Sequence, residues 1–347
     1  MDNFGSEAKH TPTISVVMSI FKEPVEWMRM AIDSILQQTF SDFEFIIIND
    51  CPGRVENSKI LEEYQKKDQR IVVINNDENV GLTKSLNKGL SVAQGKYIAR
   101  MDADDISKPI RFERQYSFCE THPEIIALGT SVNIIDFGGK KKGSMHHDTD
   151  PVVLRSISVF ESPIYHPTSF IRRIIDGAPF YYDEHFKQAQ DYALWAKLIS
   201  NHDIANIDEI LLDYRITSQN VSNKKRKNQN LYAIEVQDSL YNNLHIVISD
   251  YDKNILSGIF KNEALRYTNE EIIKAIVRLK NNNRGLRNLK INKTIDYLIL
   301  LYCNYLPSYY KIFESLKCFM SVVIKTRQFN LYNLLSLLNK YRIIGII

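Results

Sequence analysis

The sequence predicts an α/β fold, in which a mostly parallel, doubly wound sheet is followed by a helical C-terminal region. Two observations lead to this prediction. In the first hundred residues, short apolar segments that suit buried strands alternate with segments whose apolar residues recur at helical spacing. This alternation is typical of βαβ units, which build parallel sheets with helices on both faces. From about residue 224 the pattern changes to basic, Asn-rich helical segments.

Four strands are predicted in the front half of the chain. Each is a short, mainly apolar run bounded by polar or turn residues, as expected for strands buried on both faces. The runs are Ile14–Ile20, Glu44–Ile48, Ile71–Ile74 and Lys96–Met101. The intervening segments place apolar residues on one helical face, and the clearest example carries Leu82, Leu86, Leu90 and Ala93.

The pattern is looser between residues 125 and 220, where three strands and one short helix are predicted. The strands are Ile125–Leu128, Ser131–Ile135 and Ile210–Ile216, and the helix is Asp191–Ile199. The polar stretch from Lys140 to Asp150 is interpreted as a loop. These elements complete a predicted catalytic domain at residues 1–222, which precedes a basic, mainly α-helical region at residues 223–347.

The charge distribution also divides the chain. Residues 1–219 contain 24 Lys and Arg against 32 Asp and Glu, whereas residues 220–347 contain 20 against 9. The net charge is therefore −8 in residues 1–219 and +11 in residues 220–347. This asymmetry suggests that residues 1–219 carry out the chemistry and that residues 220–347 bind an anionic surface.

Composition and cysteine usage exclude several protein classes. With 44% hydrophobic and 24% charged residues, the chain is neither disordered nor collagen-like. Its four cysteines form no CxxC pair or disulfide framework, which favours a reducing, cytoplasmic compartment. We expect no classical export signal, because residues 1–13 are polar and lack an apolar core, and no membrane-spanning helix, because no apolar run reaches about 18 to 20 residues.

The C-terminal third carries apolar residues at helical spacing, interleaved with Lys and Arg. These patterns lie in Tyr297–Tyr305, Ile312–Ile324 and Leu331–Leu338. Such helices leave two alternatives open. They could pack on the catalytic domain or on a second copy in a homo-oligomer, or they could bind peripherally to the anionic inner face of the cytoplasmic membrane. We expect no nucleic-acid partner, because no known nucleic-acid-binding motif accompanies the basic residues.

Acidic residues follow the predicted strands, at the sheet edge where open parallel sheets bind their ligands. They are Glu23, Asp50, Asp77 and the sequence Asp102-Ala103-Asp104-Asp105. Several carboxylates at one edge repel each other unless a cation compensates them, and hard divalent cations prefer carboxylate oxygens. The sequence therefore predicts a divalent metal site. The plainer alternative is that Asp105 or Ser107 caps a helix that begins near Pro109.

Five segments taken in order resemble the inverting glycosyltransferases of family 2, which have the Rossmann-like GT-A fold. They are ISVVMSIFKE, QQTFSDFEFIIINDCP, ENVGLTKSLNKGL, GKYIARMDADDISKPIRFERQ and AQDYALWAKL. The resemblance covers about residues 12–220 and is greatest to bacterial enzymes of capsule, exopolysaccharide and O-antigen assembly. It implies transfer from a UDP-sugar donor to a hydroxyl of a glycan or lipid-linked glycan acceptor, with Mn²⁺ or Mg²⁺ as cofactor.

The resemblance also assigns roles on the diphosphate side of the donor. Asp104 would bind the metal ion, and Asp102 would contact the ribose or the metal's water shell. Lys84 and Arg100 would lie near the diphosphate, although a solvated surface charge is an equal alternative for both.

Three further residues match the region of the family pattern that holds the nucleoside. Asp50 would recognise the uracil edge, Phe21 would lie against the base, and Glu23 would lie near the ribose. Relatives often carry a histidine after the Tyr-Arg pair that matches residues 214–215. Because Thr217 stands near that position here, the third metal ligand stays open between water and the diphosphate.

On the acceptor side, Gln190-Asp191 matches the family's Glu-Asp or Gln-Asp pair at a helix start. Asp191 would be the general base that takes a proton from the acceptor hydroxyl. The alternative is that Asp191 only caps the helix. His166, Gln190 and Trp195 are the predicted acceptor-side residues.

Two other functions compete with this interpretation. A nucleotidyltransferase would need a Gly-rich, basic loop after the first strand, where Phe21-Lys22-Glu23-Pro24 stands instead. A catalytically inactive sugar-nucleotide-binding or scaffold subunit of a polysaccharide assembly complex would not need the acidic residues.

Overall fold

The structure is a computed structural model that describes residues 10–216, 223–260 and 267–283. These residues form two compact units. The first contains the described residues up to Thr149 together with Ile164–Ala233, and the second contains Asp150–Pro163 and the described residues from Ile234 onward. The predicted boundary after residue 222 falls outside the described residues. The division between the units lies within a helix, α7, that spans Asn223–Asn243.

The first unit is built on a nine-stranded mixed sheet, which confirms the predicted α/β class. Its strands are β1 (Ile14–Ile20), β2 (Phe43–Asn49), β3 (Ile71–Asn75), β4 (Tyr97–Asp102), β5 (Ile106–Ser107), β6 (Ile125–Ile135), β7 (Lys141–Met145), β8 (Phe170–Arg172) and β11 (Asp203–Arg215). Their order is β3-β2-β1-β4-β8-β6-β11-β5, with β7 beside β6. A separate hairpin contains β9 (Ile174–Ile175) and β10 (Ala178–Pro179).

Helices cover this sheet as the sequence pattern predicts. Those of the first unit are α1 (Val25–Leu36), α2 (Val55–Lys67), α3 (Leu82–Val92), α4 (Arg111–Thr121), a 3₁₀ turn at His166–Thr168, and α6 (Gln190–Ile199). A hydrophobic core lies between β1, β2, β4 and the helices on one face, where Ile14, Met18, Phe45 and Tyr97 are completely buried. This burial explains why the predicted apolar runs became strands.

Two local predictions are wrong. The two strands predicted at 125–128 and 131–135 are one continuous strand, β6, because Gly129 is not a turn. At Gly129 a Cβ would collide with Asn206 and Ile164, so the glycine permits close packing within the sheet. The predicted loop at 140–150 contains β7, which pairs with β6 in an antiparallel hairpin.

The register of the strands determines what lies at the carboxyl edge of the sheet. Ile20 of β1 lies opposite Asn49 of β2, and Ser19 lies opposite Asp102 of β4. The three parallel strands therefore end side by side. The short strand β5 follows β4 after a turn and pairs with β11, which brings the end of β11 to the same edge.

The second unit is helical. Its described elements are α5 (Pro151–Ile157), the later portion of α7, α8 (Asp250–Phe260) and α9 (Asn269–Asn282). A bidentate ion pair between Asp252 and Arg278 joins α8 to α9, with the shortest N···O distance at 2.5 Å. Among the residues that the structure describes, no helix meets the length and hydropathy needed to cross a membrane. The three C-terminal apolar patterns predicted from the sequence lie outside the described residues.

Candidate active site

A cleft of about 430 Å³ opens at the carboxyl ends of β1, β2 and β4. Five of the predicted site residues line it: Phe21, Glu23, Asp50, Asp102 and Asp104. Seven further residues that were not assigned a role also line it, and they are Ser19, Asn79, Gly81, Leu82, Ala103, Tyr214 and Arg215. The topology explains this gathering, because the strands that carry these residues end at the same edge.

The acidic loop, residues 102–105, borders the cleft and is the candidate metal site. Asp102, Asp104 and Asp105 each offer a carboxylate oxygen within 4.8 Å of the others, and no other such group of three occurs among the described residues. Asp105 is 1% exposed, and its Oδ2 has no hydrogen-bond partner in the described regions of the chain. Burial raises the pKa of Asp105 well above its usual value, and the negative charges of its two neighbours add to this shift. These mutually repelling oxygen donors, of which Asp105 is buried and Asp102 and Asp104 are partly exposed, fit Mn²⁺ or Mg²⁺.

The capping alternative for this loop is wrong. Helix α4 begins at Arg111, and its N-cap residue, Ile110, makes no side-chain cap. The Oδ1 of Asp105 instead accepts a hydrogen bond of 2.8 Å from the backbone N–H of Arg215. Ser107 lies in β5 and contacts Gln38 and Ser34.

Arg100 lies beneath the acidic loop rather than in solvent. Its guanidinium is almost completely buried and pairs with Asp102 at 2.5 Å. The surface-charge alternative is therefore wrong for this residue, because burial in β4 directs its charge to the Asp102 carboxylate. Lys84, by contrast, is exposed on α3 and does not line the cleft.

Asp50 is buried and organises the loop that precedes α3. Its carboxylate accepts hydrogen bonds from the backbone N–H groups of Val80 (2.8 Å) and Gly81 (2.9 Å) and from the amide of Asn76 (2.8 Å). Gly81 has φ = +89°, a conformation that favours glycine and turns its N–H toward Asp50. A carboxylate has about four acceptor positions, so one remains for a ligand.

Glu23 and Phe21 form a short turn on the β1 side of the cleft. The Glu23 carboxylate accepts a 2.7 Å hydrogen bond from the backbone N–H of Phe21. Burial raises the pKa of Glu23, and the nearby charge of Asp102 acts in the same direction. Glu23 and Asp102 therefore influence each other electrostatically in the same cleft.

Asp191 is the second residue of helix α6, whose N-cap is Ala189. Burial raises the pKa of Asp191, and Asp102 adds to this effect. Hydrogen bonds from the backbone N–H groups of Asp191 and Tyr192 act in the opposite direction. The helix start thus orients the carboxylate, so the capping and catalytic interpretations are compatible.

His166 is buried and contacts Tyr182, a residue that the sequence interpretation missed. Its Nε2 lies 2.9 Å from the Tyr182 hydroxyl. Burial and the charge of Arg100 lower the pKa of His166 well below its usual value, so its imidazole is neutral at pH 7. Asn87 holds the Tyr182 backbone through two hydrogen bonds of 2.9 Å. Burial raises the pKa of Tyr182, and Asp191 and Asp102 contribute, which places this tyrosine in the electrostatic environment of the site.

The other two predicted acceptor-side residues are less accessible than expected. Gln190 is 6% exposed, and its Oε1 has no hydrogen-bond partner among the described residues. Trp195 is completely buried on the apolar face of α6, beside Leu194 and Leu198. Trp195 is therefore part of the core, and its place on the acceptor side stays a prediction.

A second cavity, of about 310 Å³, lies in the helical unit. Its lysine, Lys253, pairs with Asp238 at 2.6 Å and with Asp250 at 3.4 Å. Two carboxylates thus face one ammonium group, which is unfavourable for a nucleotide diphosphate. The cleft of the first unit is the better candidate for an active site.

Comparison with known proteins defines the class to which this fold and cleft belong. The model of glycosyl transferase family 2 matches residues 15–181. An uncharacterized glycosyltransferase of Methanocaldococcus jannaschii is 36% identical over 229 residues, which cover 64% of this chain and 77% of that protein. The amylovoran biosynthesis glycosyltransferase AmsE of Erwinia amylovora is 31% identical over 230 residues, which cover 64% of this chain and 83% of that protein. The chain belongs to glycosyltransferase family 2.

A solved structure supports the same fold. TarS residues 1–349 of S. aureus, in complex with UDP-GlcNAc, align with a TM-score of 0.54 at 17% sequence identity. The alignment covers 91% of this chain and 93% of that chain. The predicted GT-A fold is confirmed.

Proposed function

We propose that this glycosyltransferase moves a sugar from a UDP-sugar to a hydroxyl of a growing surface polysaccharide, free or lipid-linked, with inversion at the anomeric carbon. The observation that carries the proposal is the acidic loop, whose three carboxylates lie within 4.8 Å of one another beside a cleft of about 430 Å³. Two likenesses support the choice of substrates. AmsE is named for amylovoran biosynthesis, and TarS was solved with UDP-GlcNAc.

On the donor side, the residues divide between nucleoside and diphosphate. Phe21, Glu23 and Asp50 line the region of the cleft formed by β1 and β2 and would hold the uridine. Asp102 and Asp104 would hold Mn²⁺ or Mg²⁺, and Arg100 fixes the Asp102 carboxylate through the ion pair of 2.5 Å. When bound, the cation stabilises the negative charge that develops on the departing diphosphate.

On the acceptor side, Asp191 would accept the proton of the attacking hydroxyl at one of its carboxylate oxygens. Its raised pKa suits this role, because a base works best when its pKa is near the working pH. The helix start at Gln190 holds the carboxylate in place. His166 and Tyr182 would shape the adjacent wall, since their hydrogen bond leaves both rings fixed.

The test is UDP release by the full-length chain with a panel of UDP-sugars and polysaccharide fragments, in Mn²⁺ and in EDTA. The proposal predicts release that requires metal and acceptor. An inactive scaffold subunit would bind UDP without turnover, and an enzyme that is equally active in EDTA would contradict the assigned metal site.

A further inference from the structure

Arg215, the last residue of β11, contacts the acidic loop. Its Nε donates a 2.7 Å hydrogen bond to the backbone carbonyl of Asp104, and its backbone N–H donates a 2.8 Å hydrogen bond to the Asp105 carboxylate. The residue is 1% exposed although it borders the cleft, so little of its surface is open to solvent. Arg215 thus holds two consecutive residues of the loop by directed hydrogen bonds.

The rest of the guanidinium is fixed from the opposite side. Its Nη1 donates to the carbonyl oxygens of Asp136 and Phe137, both at 2.9 Å, in the turn between β6 and β7. The guanidinium also lies over the ring of Trp27, 4.6 Å from its centroid. A planar, fully charged group with several fixed donors suits this bridging position, whereas a lysine has a single flexible ammonium.

The contacts have a direct consequence for the acidic loop. Three carboxylates within 4.8 Å repel one another, and without restraint the loop would spread in the absence of a cation. Arg215 supplies a positive charge beside them, while its side-chain bond to the loop uses the peptide oxygen of Asp104. Restraint of a peptide oxygen fixes the loop without using the carboxylate that would bind metal.

We propose that Arg215 is a positioning residue that holds the acidic loop in the geometry that binds the divalent cation. This inference rests on the proposed function, because it takes Asp104 and Asp102 as metal ligands. Residues that orient metal ligands from the outer shell typically contribute about 10- to 100-fold to metal affinity. Loss of the Arg215 bonds should therefore weaken Mn²⁺ binding by about this factor.

Arg172 offers a matched control at another place in the same sheet. Its guanidinium also donates to backbone carbonyls, those of Ile125 and Cys119, and lies 5.3 Å from the centroid of the Tyr97 ring. It does not line the cleft. Replacement of either arginine by methionine removes a similar set of contacts, so a general loss of stability should be comparable in the two variants.

The experiment measures Mn²⁺ binding to the full-length chain by electron paramagnetic resonance, with UDP present, for wild type, Arg215→Met, Arg215→Lys and Arg172→Met. We expect both Arg215 variants to raise the Kd for Mn²⁺ by about 10- to 100-fold, and Arg172→Met to leave it within about twofold. If Arg215→Met does not fold, Arg215→Lys decides the question, because lysine keeps the charge but not the forked geometry.

Three outcomes would overturn the inference. If wild type binds Mn²⁺ and the Arg215 variants bind it equally well, Arg215 has only a structural role, and the proposed function is unaffected. Weaker binding of UDP to these variants in EDTA would indicate a direct contact with the nucleotide instead. Failure of wild type to bind Mn²⁺ with UDP would refute the proposed metal site itself.

Discussion

The aspartates around the cleft differ in their surroundings, and these surroundings determine what each can do. Asp50 accepts three hydrogen bonds from the loop before α3, whereas Asp102 is paired with the buried guanidinium of Arg100. Asp105 is buried next to two like charges, so its ionised form needs a cation. Asp191 stands at a helix start with a raised pKa. Under the proposed function, loop organisation, cation binding and proton transfer would thus be divided among residues of one type.

Replacement of Asp104 by asparagine should weaken UDP binding in Mn²⁺ by more than about tenfold, because a charged oxygen ligand is lost. UDP binding in EDTA should be unchanged, since the nucleoside contacts remain. Titration calorimetry in both conditions measures this difference. Asp208→Asn is the control, because Asp208 is an exposed aspartate that contacts His146 and Ser131 outside the cleft lining. Equal losses with and without metal would contradict the metal assignment of Asp104.

Replacement of Asp50 by alanine should raise the KM for the UDP-sugar more than it lowers kcat, because nucleoside recognition is mostly uniform binding. The partly exposed N–H groups of Val80 and Gly81 could turn to water, but the buried amide of Asn76 would lose its bond to Asp50, at a cost of about 1–3 kcal/mol if that donor stays unpaired. Steady-state kinetics and urea denaturation measure the two effects. An unchanged KM would remove Asp50 from the nucleotide site.

The sequence predicts best those helices and strands that carry a clear apolar pattern of their own. Strands β1 to β4 and helix α3 fall in this group. Strand β8 contains only Phe170–Arg172, which is too short for a periodic signal, and it forms because β4 and β6 provide partners on both sides. Tyr182 has no local signal either, since Asn87 and His166 are far from it in sequence.

The candidate site was predictable to the extent that its residues follow strand ends. Glu23, Asp50, Asp102 and Asp104 could be assigned on this basis together with the family resemblance. Tertiary packing places Arg100 beneath the acidic loop and Trp195 in the core. The order of residues in the sequence does not reveal such packing. The bridge made by Arg215 was missed for the same reason, because it joins three segments distant in the chain.

The loop before α3 provides a test at the level of an element. Gly81 has φ = +89° and ψ = 162°, a region that is essentially restricted to glycine. Gly81→Ala should lower the free energy of unfolding by about 1–3 kcal/mol and raise the KM for the donor, because the loop carries the N–H groups bound by Asp50. Gly53→Ala is the control, since a Cβ would meet no atom within 4 Å at either glycine, but only Gly81 has a positive φ. Equal stability of the two variants would show that the loop conformation is not restrictive.

At the level of the whole molecule, the net charge of +11 in residues 220–347 contrasts with −8 in residues 1–219. We predict that the full-length chain binds vesicles containing anionic phospholipid more strongly than neutral vesicles. The preference should decrease as salt rises from about 0.1 M toward 1 M, because screening shortens the range of the attraction. Co-sedimentation with the two vesicle types measures this preference, and equal binding to both would contradict it.

The central claim is that Asp191, which does not itself line the cleft but feels the charge of Asp102, acts as the base of a metal-dependent transfer. Asparagine at this position keeps the size of the side chain and caps helices about as well as aspartate, but it cannot take up the proton. Since the pKa of Asp191 is raised, wild type should lose activity as the pH falls through a value above that of an ordinary aspartate. The Asp191→Asn variant should lose the contribution of Asp191 to this acidic decline, while the contributions of Glu23 and Asp105, whose pKa values are also raised, remain.

The most direct test is therefore kcat for Asp191→Asn at saturating UDP-sugar and Mn²⁺, measured beside UDP affinity and thermal stability. The account predicts a loss of about 10²- to 10⁴-fold in kcat, with UDP affinity and stability nearly unchanged. Asp183→Asn is the control, because Asp183 is exposed and its carboxylate accepts a hydrogen bond from the backbone N–H of His185. A near-wild-type kcat for Asp191→Asn would contradict the mechanism.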